Sequence, residues 1–213
     1  MCANYTPSAQ AAWEAAFRWT FPVGQFKSES FPGYTAPIIT NEVREDGVLA
    51  TFGLLPGWAK PDLVRSTYNA RSETAYEKPS FRHAWRRGQF CIIPADVIYE
   101  PNYETGSAVR WAIRAADGRA LGITGIWESR AVGKDTQYSF SMLTINADDH
   151  PVMNRMHKPG EEKRMVVILE PGSYEEWLHV KPEHAPTWLT QFPAERLVAE
   201  PAPRGAASQA ALI

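Results

Sequence analysis

Cys2 directly follows the initiating methionine. Methionine aminopeptidases remove Met1 when the next side chain is small, and cysteine is small. The mature chain would then carry an α-amine and a thiol on adjacent carbons. Such a 1,2-aminothiol condenses with an aldehyde to an imine, and the thiol then closes a five-membered thiazolidine ring. Both nucleophiles are usable near neutral pH, with reference pKa values of about 8 for the amine and about 8.5 for the thiol. An internal cysteine has no such chemistry. The bland alternative is an incidental residue on a frayed terminus.

Other residues offer partners for that chemistry. Asn69, in Thr67-Tyr68-Asn69-Ala70-Arg71-Ser72-Glu73-Thr74, can donate and accept hydrogen bonds and so orient a carbonyl or thiol. Arg71 presents a planar fork suited to phosphate. Read locally, the pair is equally a capping Asn and a solvated Arg. Glu100 ends the apolar run that follows Pro94, where partial burial would raise its pKa into the range of a proton shuttle. His150 and His157 flank a proline-bounded loop and are each able to act as an acid or base. Phe81-Arg82-His83-Ala84-Trp85-Arg86-Arg87 interleaves cations and aromatics, as a groove for single-stranded nucleic acid does. An amphipathic helix that buries Phe81 and Trp85 explains the same pattern. Cys91, inside an apolar run, reads as core.

The elements that must position these groups are mixed. Ser8 is placed to cap a helix containing Trp13 and Phe17. A strand is expected over Gly47–Leu55, and short helices over Ser72–Lys78 and Ser80–Arg87, the second stopping at Gly88. Phe90–Ile93 and Val97–Tyr99 read as strand segments interrupted at Pro94. Val109–Ala115 and Arg119–Trp127 flank Asp117-Gly118, a hairpin signal. Tyr138–Ile145 alternates as a strand, and Arg164–Leu169 is a continuous buried one. Ser173 caps a last helix with Trp177 and Leu178. Regular strand–helix alternation is absent, so the pattern favours an α+β fold with mostly antiparallel sheet over a parallel one.

The 213 residues suggest one domain, taken as 1–200, before a Pro-, Ala- and Ser-rich tail at 201–213 expected to be disordered. A net charge of −2 confines any basic surface to a local patch. The two cysteines follow no metal-ligand or disulfide spacing, which points to a reducing compartment, the cytoplasm. No run suits a membrane span, and no secretory signal is evident.

Taken in order, several segments resemble the SRAP family of SOS-response-associated peptidases, or abasic-site-processing proteins. They are Met1-Cys2, Phe52-Gly53-Leu54-Leu55-Pro56-Gly57-Trp58, Asn69-Ala70-Arg71-Ser72-Glu73-Thr74, Ser80-Phe81-Arg82, Cys91-Ile92-Ile93-Pro94-Ala95-Asp96 with Tyr99-Glu100, and Arg164-Met165-Val166-Val167-Ile168-Leu169. The resemblance implies a single α+β domain with curved, mostly antiparallel sheet forming a pseudo-barrel. It implies a monomer, without metal or cofactor, that cross-links to abasic sites in single-stranded DNA. In that reading Cys2 is the nucleophile, Asn69 orients it, Glu100 moves protons, and His157 protonates the opened sugar or assists β-elimination. Arg71, Arg82, Trp58 and Asn4 would face the DNA. Associated peptidase and lyase chemistry is implied as well.

Three departures stand out. Ala3 and Asn4 replace the family's usual Gly-Arg, which removes a cation beside the nucleophile. Pro101 follows Glu100 where the family often has Trp, leaving Tyr103 as a substitute for stacking. The spacing from His157 to Arg164-Met165 is longer than usual; a competing alignment puts Met153 at the histidine position and keeps His150 in reserve. Two other functions fit the start of the chain. An N-terminal-nucleophile amidohydrolase or amidotransferase would use the α-amine as base for the thiol. A non-enzymatic reader of modified or single-stranded DNA would leave Cys2 passive.

Overall fold

A computed structural model describes residues 2–43 and 45–204. In chain order its strands and helices are β1 (Asn4–Pro7), α1 (Gln10–Ala16), β2 (Thr35–Thr40), β3 (Val48–Phe52), α2 (Val64–Thr67), β4 (Asn69–Arg71), α3 (Arg82–Arg86), β5 (Phe90–Asn102), β6 (Val109–Ala115), β7 (Leu121–Val132), β8 (Asp135–Asn146), β9 (Arg164–Val166), β10 (Ile168–Leu169), α4 (Tyr174–Leu178) and β11 (Leu197–Pro201).

Five strands close a ring. β2 lies antiparallel to both β3 and β5, β5 to β7, and β7 to β8. β8 then runs parallel to β3 and completes the circle. β1 and β6 pair with β5, β4 and β9 with β8, β10 with β7, and β11 with β6. The result is a single α+β domain with a mostly antiparallel pseudo-barrel and short helices.

Alternation along the ring strands makes two cores. One holds Ile38, Phe52, Cys91, Ile93, Trp127, Phe140 and Met142, together with Cys2 and Tyr5. The other holds Ile39, Phe90, Ile92, Ile126 and Leu143, covered by Trp13 of α1, Trp85 of α3 and Trp177 of α4. Residues two apart on a strand share a face. Phe90–Ile93 is therefore continuously apolar because both faces of β5 are buried. Cys91 is core, and its carbonyl accepts the Trp177 indole N–H at 3.0 Å.

Several local expectations give way to tertiary pairing. Pro94 does not interrupt β5. The strand pairs with β7 up to Ala95 and with β6 from Ile98, so the missing N–H falls near a change of partner. The Pro94 carbonyl accepts from Ser8 N–H. Asp117-Gly118 does turn the chain, with Gly118 at φ +75, but β6 and β7 do not form a hairpin. Each pairs with a different length of β5 instead. The hairpin lies one step later, where Val132 pairs with Asp135 around Gly133 at φ +65.

Ser8 is buried and makes no capping bond; Ala9 takes the N-cap position. Ser173 is the N-cap of α4, but its hydroxyl donates to the Glu170 carbonyl and not into the helix. Residues 72–78 form hydrogen-bonded turns, not a helix. The run from Arg164 to Leu169 splits at Val167, because β9 follows β8 and β10 follows β7. β11 includes Pro201, and Ala202 N–H still donates to the Arg110 carbonyl. The rest of the expected tail, 205–213, lies outside the described residues.

Candidate active site at the amino-terminal strand

β1 lies antiparallel along β5, with Asn4 opposite Tyr99. That register carries Cys2 alongside the end of β5, beside Glu100. Cys2 is buried, with its thiol 3.6 Å from the Asn4 carbonyl oxygen. Burial first, and then the Glu100 carboxyl, push the Cys2 thiol far above the usual range. The thiol is therefore held protonated.

Asn69 begins β4, which runs parallel to β8 with Asn69 opposite Met142. Its side-chain amide donates to the Cys2 carbonyl at 2.7 Å. Its Oδ1 is buried and accepts no hydrogen bond among the described residues. A buried acceptor left open costs roughly 1–3 kcal/mol, so such a site favours a substrate or product that donates there.

Glu100 is 3% exposed. Burial pushes its carboxyl up to about 7, against the pull of the positive amino terminus. His157 comes from the segment after β8. An isolated bridge from Asn102 to Met156 draws that segment to the end of β5, and His157 N–H donates to the Pro101 carbonyl at 2.6 Å. His157 itself sits at φ +63, a left-handed conformation costly for a residue with a Cβ. Its Nδ1 lies 3.6 Å from Glu100 Oε2, and its Nε2 lies 3.1 Å from the Arg164 carbonyl oxygen. A carbonyl only accepts, so Nε2 carries the hydrogen and Nδ1 presents its lone pair to Glu100. Burial pulls the His157 imidazole down to about 4, with the amino terminus adding to the effect. Both shifts favour the uncharged forms. The pair is thus a neutral imidazole beside a carboxyl able to hold or release a proton near pH 7.

The fold brings Cys2, Asn69, Glu100 and His157 together. His150 is elsewhere: Nε2 bonds the Phe192 carbonyl, and Nδ1 accepts from Val152 and Met153 N–H. It holds a turn. Met153 is buried in the core. Arg71 shares the Asn69 face of β4 but is ion-paired with Glu162 at 2.7 Å. Arg82 opens α3 at the surface, and Trp58 is 65% exposed. Tyr103 is half-buried.

Asn4 is buried, and its amide is fully engaged. It donates to Glu29 and the Ser30 carbonyl, and it accepts twice from Arg110. Arg110 also stacks on Tyr99, 3.3 Å from the ring centroid, and pairs with Glu29. A guanidinium distant in sequence thus stands beside position 4. Sequence reasoning passed over three residues here. They are Arg110, the buried Arg164, and Tyr68, whose phenol is pushed up by burial, then by Glu100 and Cys2. Tyr68 adjoins Asn69 in the quoted motif, and Arg164 begins a quoted segment; only Arg110 had no local signal. Among the described residues no group of His, Cys, Asp or Glu is arranged to hold a metal. No described helix is long and apolar enough to cross a membrane.

The family model for SOS response associated peptidase (SRAP) matches residues 1–205. The chain belongs to that family. Two relatives in Bacillus subtilis (strain 168) are the abasic site processing proteins YoqW and YoaM. The first is 29% identical over 154 residues, 70% of this chain and 65% of that protein. The second is 29% identical over 156 residues, with 70% and 64% covered. The match therefore spans less than two thirds of these relatives' length. A crystal structure of a Bordetella bronchiseptica protein superposes with a TM-score of 0.87 at 36% identity, covering 94% of this chain and 99% of that one. A Bacteroides thetaiotaomicron protein shares the SRAP-type fold at TM-score 0.80 and 21% identity, covering 95% and 93%.

Proposed function

We propose that the protein processes abasic sites in single-stranded DNA by forming a covalent adduct through Cys2 once Met1 is removed. The observation that carries this reading is the buried cluster in which Asn69 grips the Cys2 carbonyl beside the Glu100–His157 pair. The names of the Bacillus relatives support it.

The chemistry follows from the protonation states. The thiol is protonated, so the free α-amine of mature Cys2 attacks first. Its lone pair adds to the aldehyde carbon of the ring-opened sugar, giving a carbinolamine. Glu100, carrying its proton near pH 7, protonates the departing hydroxyl, and water leaves as the imine forms. The resulting carboxylate takes and keeps the thiol proton as sulfur adds to the carbon of the protonated imine, whose nitrogen retains its own hydrogen. A thiazolidine closes, and water is the net product lost. The open Asn69 Oδ1 accepts from the amine or the sugar hydroxyl. His157, neutral and with Nδ1 facing Glu100, relays protons to and from that carboxyl.

Associated peptidase and lyase steps would draw on the same groups, Glu100 for release of Met1 and His157 for β-elimination. Arg71, Arg82 and Trp58 serve the flanking strand through phosphate pairing and stacking. Asn4 serves indirectly, by holding Arg110. The protein acts as a cytoplasmic monomer in one domain.

The test is intact mass after incubation with an oligonucleotide carrying one abasic site. Wild type should gain the oligonucleotide mass less one water, and Cys2→Ala should gain nothing. Cys2→Ser should yield an adduct only when borohydride traps the imine. An equal, stable adduct from Cys2→Ala would overturn the reading. Turnover of glutamine without adduct would favour an amidohydrolase instead.

A further inference from the structure

Arg71 and Arg164 share one carboxylate. Arg71 Nη1 donates to Glu162 Oε2, and Arg164 Nη1 donates to Glu162 Oε1, each at 2.7 Å. One carboxylate thus lies between two guanidiniums, with one oxygen given to each. Arg164 is almost wholly buried, whereas Arg71 and Glu162 are half-open to solvent. Arg164 is otherwise fixed by Glu73 and by the Thr144 carbonyl. Its Nε is buried and makes no hydrogen bond among the described residues.

This fork adjoins the site. Arg71 lies two residues beyond Asn69 on β4, and the Arg164 carbonyl accepts from His157. Glu162 belongs to the non-helical segment between His157 and β9. Lys163 Nζ ties that segment back to the His157 and Lys158 carbonyls. A phosphodiester offers two anionic oxygens with nearly the bite of a carboxylate, and arginine recognises both through the same N–H pairs. A buried guanidinium stripped of its partner is strongly unfavourable. The Glu162 carboxylate, beside that of Glu73, offsets that penalty at Arg164 while no strand is bound.

We propose that Glu162 is an internal stand-in for a nucleic-acid phosphate. It holds Arg71 and Arg164 around one anion position, and it leaves when a phosphodiester of the single strand takes its place between them. The inference rests on the reading of the protein as a single-strand binder, and it adds a control on that binding. Undamaged strand must displace a tethered competitor before it docks, so casual binding is suppressed. An abasic strand, once linked through Cys2, is tethered as well and displaces Glu162 readily.

The experiment measures binding of an undamaged, fluorescein-labelled oligothymidine by anisotropy, beside the abasic-site mass assay. Glu162→Gln should tighten binding on the order of tenfold at moderate salt, because one attractive competitor for a phosphate site is removed. Glu161→Gln changes net charge equally on the same segment and should stay within about twofold. The gain should vanish in Arg71→Met. Should Glu162→Gln unfold, Glu162→Asp is the second probe. One methylene shorter, it cannot bridge both guanidiniums and should give about a threefold gain.

Unchanged or weaker binding in both folded variants would overturn the proposal, and so would an equal gain from Glu161→Gln. The two readings fail separately. If wild type forms the adduct and Glu162→Gln gains nothing, only the stand-in is wrong. If Glu162→Gln gains affinity and no adduct forms, only the Cys2 chemistry is wrong.

Discussion

The Asn69 side-chain amide donates to the Cys2 main-chain carbonyl at 2.7 Å, across 67 positions of sequence. It joins β4 to the amino terminus, and it aims the α-amine and thiol together. Asn69→Ala should therefore slow adduct formation by about 10²-fold, as a loosened reactive geometry does. Affinity for undamaged single strand should change less than about twofold, within the range of a side chain that touches no DNA. Time courses on denaturing gels and anisotropy titrations check the two quantities. An equal loss in both would make Asn69 a DNA contact and not an organiser.

Glu100 and His157 predict opposite pH slopes. Glu100 sits at about 7 when folded against an ordinary 4.5, so the folded state keeps a proton that the unfolded chain releases. Its contribution is present below pH 4.5 and is lost as pH rises through 7, on the order of 3 kcal/mol. His157 is lowered from 6.5 to about 4, so its contribution is present above 6.5 and is lost as pH falls through 4. The slopes nearly cancel in the wild type between pH 4.5 and 6.5. Relative to it, Glu100→Gln should gain stability as pH rises from 4.5 to 7. His157→Asn should gain it as pH falls from 6.5 to 4. Melting temperatures across pH 4–8 decide this; parallel curves for all three proteins would refute the assignment. Glu100→Gln should also erase the break near pH 7 in the rate of adduct formation.

Gly125 of β7 is packed closely against both β5 and β8. A Cβ there would lie 2.4 Å from Ile93 Cδ1, 2.7 Å from the Ser141 carbonyl oxygen and 2.9 Å from Cys91 Sγ. Gly125→Ala should cost about 1–3 kcal/mol in urea unfolding, the usual penalty of overpacking. Gly57→Ala, whose Cβ meets nothing, is the control.

Trp58 leaves most of its indole in solvent, at the end of the Pro56–Ala59 turn. Trp58→Ala should leave the melting temperature unchanged and weaken single-strand binding by about 1–3 kcal/mol, the value of one stacked base. Unaltered affinity would remove Trp58 from the DNA face.

The legible parts of the chain were those whose cause is local. The turn glycines, the amphipathic stripe around Trp13 and the alternating run of β8 all answer to neighbours in sequence. Asn69 and Glu100 were legible as site candidates because each lies inside a recognisable segment. What escaped reading depends on distant partners. Asp117-Gly118 carries a stronger hairpin signal than Gly133-Lys134, yet β5 competes for both β6 and β7 and only the later turn closes a hairpin. Pro94 looked like a stop because no local pattern shows that β5 changes partner beside it. Arg110 could not be assigned to position 4 without the β5–β6 register. The choice of His157 over His150 depends on the bridge from Asn102 to Met156, which spacing along the chain does not reveal.

The parallel seam between β3 and β8 has a kinetic consequence. Ala50 meets Tyr138 there, and Asn69 meets Met142 next to it. Neither contact can form by local zippering, because both must first close loops spanning most of the barrel. Chains dominated by such pairings fold slowly, in roughly milliseconds to seconds. Until that seam zips, Asn69 has no fixed place and the amino terminus has no partner for its carbonyl. Reactivity should therefore emerge late and all at once, so that a refolding chain regains its helical signal well before it can capture an aldehyde.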